Sequence, residues 1–253
     1  DYAVTGVQTC ALPICFSDKS MNEVSVESKN LLEEITETKT WQVKRRIGTH
    51  KEKNFELAIA WNKELNETEN VLFSYFKTEV RFPFPALLHG TFELTQDRNQ
   101  LVNDTEGHNE FLTGELSELL IETALEIAKN PEVNYLPLKI LNIDFDKVDN
   151  VLQKFNFKES LIKKIKSSNV FPTVNNLYKT YTDKPVFYDL PVASIVKGND
   201  VENLMPICED ELVIKFFKTF PIFHYTVPKF ISIISERATK IEKPVLAKLI
   251  SFL

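Results

Sequence analysis

Residues 71–101, VLFSYFKTEVRFPFPALLHGTFELTQDRNQL, decide the fold, because they read as one continuous piece of architecture. Val71 to Phe76 alternates and is rich in aromatic and β-branched side chains, as a half-buried strand should be. Pro83 and Pro85 hold the residues before them extended and forbid a helix. A second apolar strand is expected over Ala86 to Leu94, with Gly90 marking a bulge or a close approach. The stretch ends on a polar tip, Thr95 to Gln100, which carries one arginine, Arg98, between two apolar segments. Loops held by rigid strands are where function concentrates.

Upstream, Glu23 to Val26, Glu33 to Ile47 and Phe55 to Trp61 show strand-like alternation, which gives a mixed or antiparallel sheet of about five strands. Downstream, Phe111, Leu112, Leu116, Leu119, Leu120, Thr123 and Ile127 recur at helical spacing. Glu115, Glu118, Glu122 and Glu126 lie opposite them, Asn103 or Asn109 is the expected cap, and Pro131 bounds the end. This long helix packs on the sheet. After it the pattern changes. Two short helices are expected over Phe145–Phe155 and Phe157–Ser167, joined at Asn156. A hairpin turns at Asn175-Asn176, an extended run covers Pro185–Val196, and helices cover Glu209–Thr219, Pro228–Lys240 and the C-terminal end. The fold class is α+β, with one region over 15–130 and a mainly helical α+β module over 131–253.

The two ends read as breaks. Val4-Thr5-Gly6-Val7-Gln8-Thr9-Cys10-Ala11-Leu12-Pro13-Ile14 is the in-frame translation of a common sequencing-library adapter, so residues 1–14 stand outside the fold argument. Ala11 to Phe16 is too short for a secretory core and follows no basic residue. At the other end, Lys243 to Leu253 opens a helix with Pro244 in its first turn and stops with apolar residues uncovered. The expectation is an internal fragment. Of three cysteines, Cys10 and Cys15 belong to the adapter and its junction, which leaves Cys208. A lone cysteine forms no internal disulfide and points to the cytoplasm. With no activating histidine beside it, Cys208 reads as a small buried residue.

Composition excludes several classes. A net charge of −6 gives no electrostatic footprint for nucleic acid. No run of about 18 apolar residues is present to span a membrane. Lys163, Lys164 and Lys166 alternate with Ile162 and Ile165, the pattern of a solvated helix face. Six glycines in the whole chain form neither G-x-G-x-x-G nor G-x-x-x-x-G-K-[ST]. The four histidines, His50, His89, His108 and His224, have no companion at metal-ligand spacing. His89 reads as a hydrogen-bonded structural residue, and Glu93 faces the other side of its strand. Lys44-Arg45-Arg46 is a second source of cations, but three in a row on a strand occupy both faces and call for acidic neighbours.

The order of strand, FPFP turn, LLHGTFELT strand and DRNQL resembles the sacsin-type branch of ATPases related to the ninety-kilodalton heat-shock chaperone. The resemblance is best over residues 41–128, weaker over 15–40 and slight beyond 131. It implies a region like the chaperone's middle domain, adjoining an upstream ATP-binding domain. ATP and its Mg would be bound mainly by that domain, whose own signatures are missing from this chain. In the chaperone a middle-domain arginine reaches the γ-phosphate, and Arg98 is the matching position, with Asn99 and Gln100 in the same loop. The competing role for Arg98 is a surface ion pair with Asp97 or Asp104. Implied partners are the ATP-binding domain, further C-terminal regions and a protein client. The alternative function is a non-catalytic interaction scaffold presenting Phe216, Phe217, Phe220 and Phe223. A parent that drives a nuclease or DNA-processing domain is a third reading, which no residue here selects.

Overall fold

The computed structural model describes residues 22–30, 35–62, 70–103, 107–130, 134–141, 145–187, 203–206, 208–220 and 243–252, with 132, 223–224, 231–232 and 235. The adapter-like segment, Asp104, Pro131, most of the expected extended run beyond 187 and most of the expected helix over Pro228–Lys240 lie outside the described residues. The fold is α+β.

Six strands form the main sheet: β1 (Asn22–Asn30), β2 (Ile35–His50), β3 (Lys53–Trp61), β4 (Val71–Ser74), β5 (Phe76–Arg81) and β6 (Leu87–Gly90). Their order is β1-β2-β3-β6-β4-β5. All neighbours are antiparallel except β4 and β6, which run parallel. The sheet therefore has one strand more than the residue pattern implies. The single strand expected over Val71–Phe76 is cut at Tyr75, whose φ of 59° turns the chain back on itself. Left-handed backbone is uncommon away from glycine and asparagine, so nothing in the sequence marks the reversal.

The proline-rich segment then carries the chain from the β5 edge past β4 to β6. Phe82 and Phe84 are buried along this crossover, and Phe82 meets Phe157 edge-on at 5.4 Å between ring centroids. The second apolar strand is shorter than expected. β6 ends at Gly90, where the register with Leu57 is unbroken, so Gly90 marks a close approach and not a bulge. An added Cβ there would lie 2.5 Å from the Phe92 ring and 2.8 Å from a Leu57 methyl.

Helix α1 (His108–Ile127) lies across the sheet. Leu57, Ile59, Trp61, Leu72 and Leu88 from the strands and Leu112, Leu116, Leu119 and Leu120 from α1 join one buried cluster. Each such side chain contributes about 1.5–3 kcal/mol by leaving water. The helix also packs on α2 (Leu136–Ile140) and α4 (Phe157–Ser167), with α3 (Asn150–Lys154) beside α4. Burial on two sides explains its polar interior residues. The hydroxyls of Thr113, Ser117 and Thr123 are buried and donate to the carbonyls of Asn109, Thr113 and Leu119 at 2.7, 3.0 and 2.7 Å.

The cap differs from expectation. Gly107, with φ of 69°, precedes the first helical residue, and Asn109 is used elsewhere. Asn156, at φ 56°, joins α3 to α4 as expected. The Asn175-Asn176 hairpin closes the short pair β7 (Phe171–Pro172) and β8 (Tyr178–Lys179). Further on, β9 (Val186–Phe187) pairs in parallel with β10 (Phe223–His224). Helix α5 (Glu211–Thr219) is capped by Asp210, which accepts from the Leu212 and Val213 amides, and α6 covers Lys243–Phe252. The buried cluster continues from the sheet into this helical part through Phe157, Phe171, Phe216 and Phe220.

Gly90→Ala should overpack the contact between β6, Phe92 and Leu57 and destabilise the chain by roughly 1–3 kcal/mol. Urea denaturation of the two proteins measures this, and an unchanged midpoint would contradict the close packing.

Candidate functional site

Beyond β6 the chain forms a small hairpin closed by a bridge between Leu94 and Leu101. The Val102 amide donates to the Glu93 carbonyl and the Thr95 amide to the Gln100 carbonyl, both at 2.9 Å. Inside the loop, the Arg98 amide donates to the Thr95 carbonyl at 2.8 Å, and Arg98 takes a left-handed φ of 60°. Asp97 organises the tip. It accepts from the Thr95 hydroxyl at 2.6 Å and from the Asn99 amide and side chain at 3.2 Å each. The Thr95 hydrogen bond, followed by the Asn99 amide, holds the exposed Asp97 carboxyl below its usual range. Asn99 thus works inward, shaping the loop.

The base of this hairpin is fixed by a residue whose role the sequence did not disclose. Asn109, fully buried in the first turn of α1, accepts from the Glu93 amide at 2.8 Å. Its NH2 donates to the Glu93 and Val102 carbonyls at 2.8 and 2.7 Å. Both flanks of the loop are therefore bonded to the helix. An asparagine near a helix start reads as a cap, which is why its span across to the hairpin was not legible.

Arg98 leans back onto the β4–β5 turn. Its Nη2 donates to the Ser74 carbonyl at 2.5 Å, and its guanidinium carbon lies 5.4 Å from the centre of the Phe76 ring. The competing ion pair with Asp97 does not form, and its other candidate partner, Asp104, lies outside the described residues. Among the described residues no carboxylate pairs with Arg98. Tyr75 and Phe76, at the tip of the turn, are 64% and 66% exposed. His89 supports the turn from β6. Its Nδ1 accepts from the Tyr75 amide at 3.4 Å, and its ring meets the Tyr75 ring edge-on at 5.4 Å. Burial pushes the His89 pKa below its ordinary value, with the Glu56 carboxylate opposing that shift. Glu93, on the far flank, reaches Lys53 at 2.8 Å.

The other candidate cations are engaged. Arg45 donates to Glu56 through Nε at 3.0 Å and again through Nη2. Arg46 bonds Glu115 and Glu122 of α1, each at 2.6 Å, and Lys44 lies 4.0 Å from Glu122. The acidic stripe of α1 is thus engaged at several points while Glu118 and Glu122 stay exposed, since Glu118 also pairs with Lys164 of α4. Lys166 sits 5.4 Å over the Tyr181 ring. Cys208 is buried, and burial raises its thiol pKa. The aromatic surface expected on the helical half is corrected. Phe216 and Phe220 are buried and stacked at 4.7 Å, and Phe217 packs against the same core, at 6.1 Å from Tyr135. The Phe223 side chain lies outside the description. No helix among the described residues is long and apolar enough to cross a membrane.

No protein-family model, curated protein or solved structure matches this chain.

The histidine gives the turn a pH dependence. A lowered pKa means that just below pH 6.5, the ordinary value, the unfolded chain binds more protons than the folded one. Stability is then full above that pH and falls as pH drops toward the folded value. Melting temperatures of the native chain and His89→Gln, taken between pH 7.5 and about 5, should diverge below pH ~6.5. Parallel curves would remove His89 from the account.

Proposed function

We propose that this chain is the coupling segment of a larger cytoplasmic, chaperone-like ATPase of the sacsin type. In this reading Arg98 contacts the γ-phosphate of ATP held mainly, with its Mg, by an upstream domain. The observation that carries it is an exposed guanidinium on a hairpin whose base is bonded to α1, with no carboxylate partner among the described residues. A phosphate suits that planar, always-charged fork in two-point contact. The bound nucleotide supplies the reacting phosphoryl group. Arg98 supplies charge stabilisation as that group transfers, Asp97 and Asn99 keep the tip in shape, and Asn109 transmits any displacement of the hairpin to α1. ATP would favour the loop-engaged state and hydrolysis would release it, a switch set by differential contacts.

The scaffold alternative loses its strongest surface now that Phe216 and Phe220 lie in the core. Among the described residues, exposed Tyr75 and Phe76 are still open to it, as are Ile47, Leu177 and Ile250. A protein client stays part of either reading.

Arg98→Ala in the full-length protein should lower ATP turnover by about 10³–10⁵-fold. Its circular dichroism spectrum and melting temperature should match the native protein, because the Arg98 side chain lies outside the core. Native turnover in the variant would sink the proposal.

A further inference from the structure

Among the described residues Arg98 has two partners, and both are neutral: a backbone carbonyl and an aromatic ring. We propose that the Ser74 carbonyl and the Phe76 ring form a latch that holds the Arg98 guanidinium on the β4–β5 turn, so that a phosphate ligand must compete with the latch. The consequence for ATP rests on the function proposed above, whereas the latch itself stands on the geometry.

Two left-handed residues make the contact. Tyr75 at φ 59° folds β5 back on β4 and leaves the Ser74 carbonyl and Phe76 on the same turn. Arg98 at φ 60° directs its own side chain from the hairpin tip toward that turn. Neither conformation is favourable for a residue with a side chain, so local propensity does not account for their meeting. Asp97, the nearest carboxylate in sequence, is taken up by Thr95 and Asn99, which leaves the guanidinium to the turn. Phe76 serves no core purpose, being largely exposed, and its ring is what the guanidinium covers.

The strengths are in the right order for a latch. The Ser74 contact is a single hydrogen bond from the guanidinium to a neutral carbonyl, whereas a phosphate offers the opposite charge and a two-point contact with the fork. A phosphate can therefore displace the Ser74 carbonyl, where a carboxylate partner would compete on equal terms. An exposed cation–π contact is worth about a two- to fivefold change in an equilibrium. Phe76 is thus a positioning residue, acting only through Arg98.

The test uses the purified chain with inorganic tripolyphosphate as the probe. Phe76→Leu keeps apolar bulk and removes the π face, while Phe76→Trp strengthens it. Tripolyphosphate affinity should rise about two- to fivefold in Phe76→Leu and fall in Phe76→Trp. In an Arg98→Ala background the Phe76 changes should have no effect. Without any phosphate, the Arg98 Nε–Hε resonance should report slow guanidinium rotation in the native chain and fast rotation in Phe76→Leu. If that resonance is the same in both, the latch is overturned. If the resonance responds but Arg98→Ala binds tripolyphosphate as tightly as the native chain, the latch stands and the phosphate-contacting reading of Arg98 fails. If Arg98→Ala abolishes binding while both Phe76 variants bind like the native chain, the phosphate reading stands and the competing latch is overturned.

Discussion

The buried amide of Asn109 joins three parts of the chain: the end of the β6 segment at Glu93, the return strand of the hairpin at Val102, and the first turn of α1. The Asn109 side chain itself is fully buried, and an unmet buried polar group costs about 1–3 kcal/mol. The hairpin is therefore located by the core and not by its own turn chemistry. Helix α1 is in turn fixed on two sides, by the sheet and by α2 and α4. A displacement at the Arg98 tip has a short, hydrogen-bonded route to a helix that packs on the sheet and on α2 and α4.

Electrostatics sets how α1 lies along the sheet. Arg46 on β2 is held between Glu115 and Glu122, two turns apart on the helix, with Lys44 near the second. These pairs are only partly exposed, so they are less screened by salt than surface pairs. Sliding the helix by one turn would separate Arg46 from one of its carboxylates and strand a charge against an apolar layer. The Glu118–Lys164 pair repeats the arrangement on the α4 side. The acidic stripe of α1 thus carries ion pairs to β2 and α4 while Glu118 and Glu122 remain exposed.

Much of the architecture was legible because it rests on periodicity. The β3 alternation, the apolar stripe of α1, the Asn156 joint and the Asn175-Asn176 turn all follow from local pattern. Three features were not legible, each for a physical reason. The β4–β5 reversal sits on Tyr75, a residue with no turn signature, so one strand was read where two occur. Phe216, Phe217 and Phe220 looked available because α5 is strongly amphipathic, but the partner surface comes from residues such as Tyr135, Phe171 and Tyr181, far away in sequence. At the candidate site, the sequence picked out Arg98 and its loop, but gave no sign of the Ser74 carbonyl, the Phe76 ring or Asn109. Contacts between separate turns leave no spacing to read.

The contrast among the cations shows why Arg98, and not the denser basic cluster, is suited to an anion. Of the four that the sequence puts forward, Arg45 and Arg46 each face a carboxylate at hydrogen-bonding distance, and Lys44 lies at the limit of an ion pair with Glu122. A phosphate approaching any of these must break or share an existing ion pair and meet the repulsion of the carboxylate behind it. Among the described residues, Arg98 has no ion pair to break. Its Asp97 neighbour is bonded within the loop, and its own partners are a carbonyl and a ring, which steady the fork without cancelling its charge. The loop therefore presents a guanidinium that no described carboxylate pairs with, one residue from the Asp97 carboxylate, in a chain of net charge −6. Thr95 and Asn99 hold the Asp97 carboxylate within the loop, so that it orients the tip and makes no ion pair with Arg98.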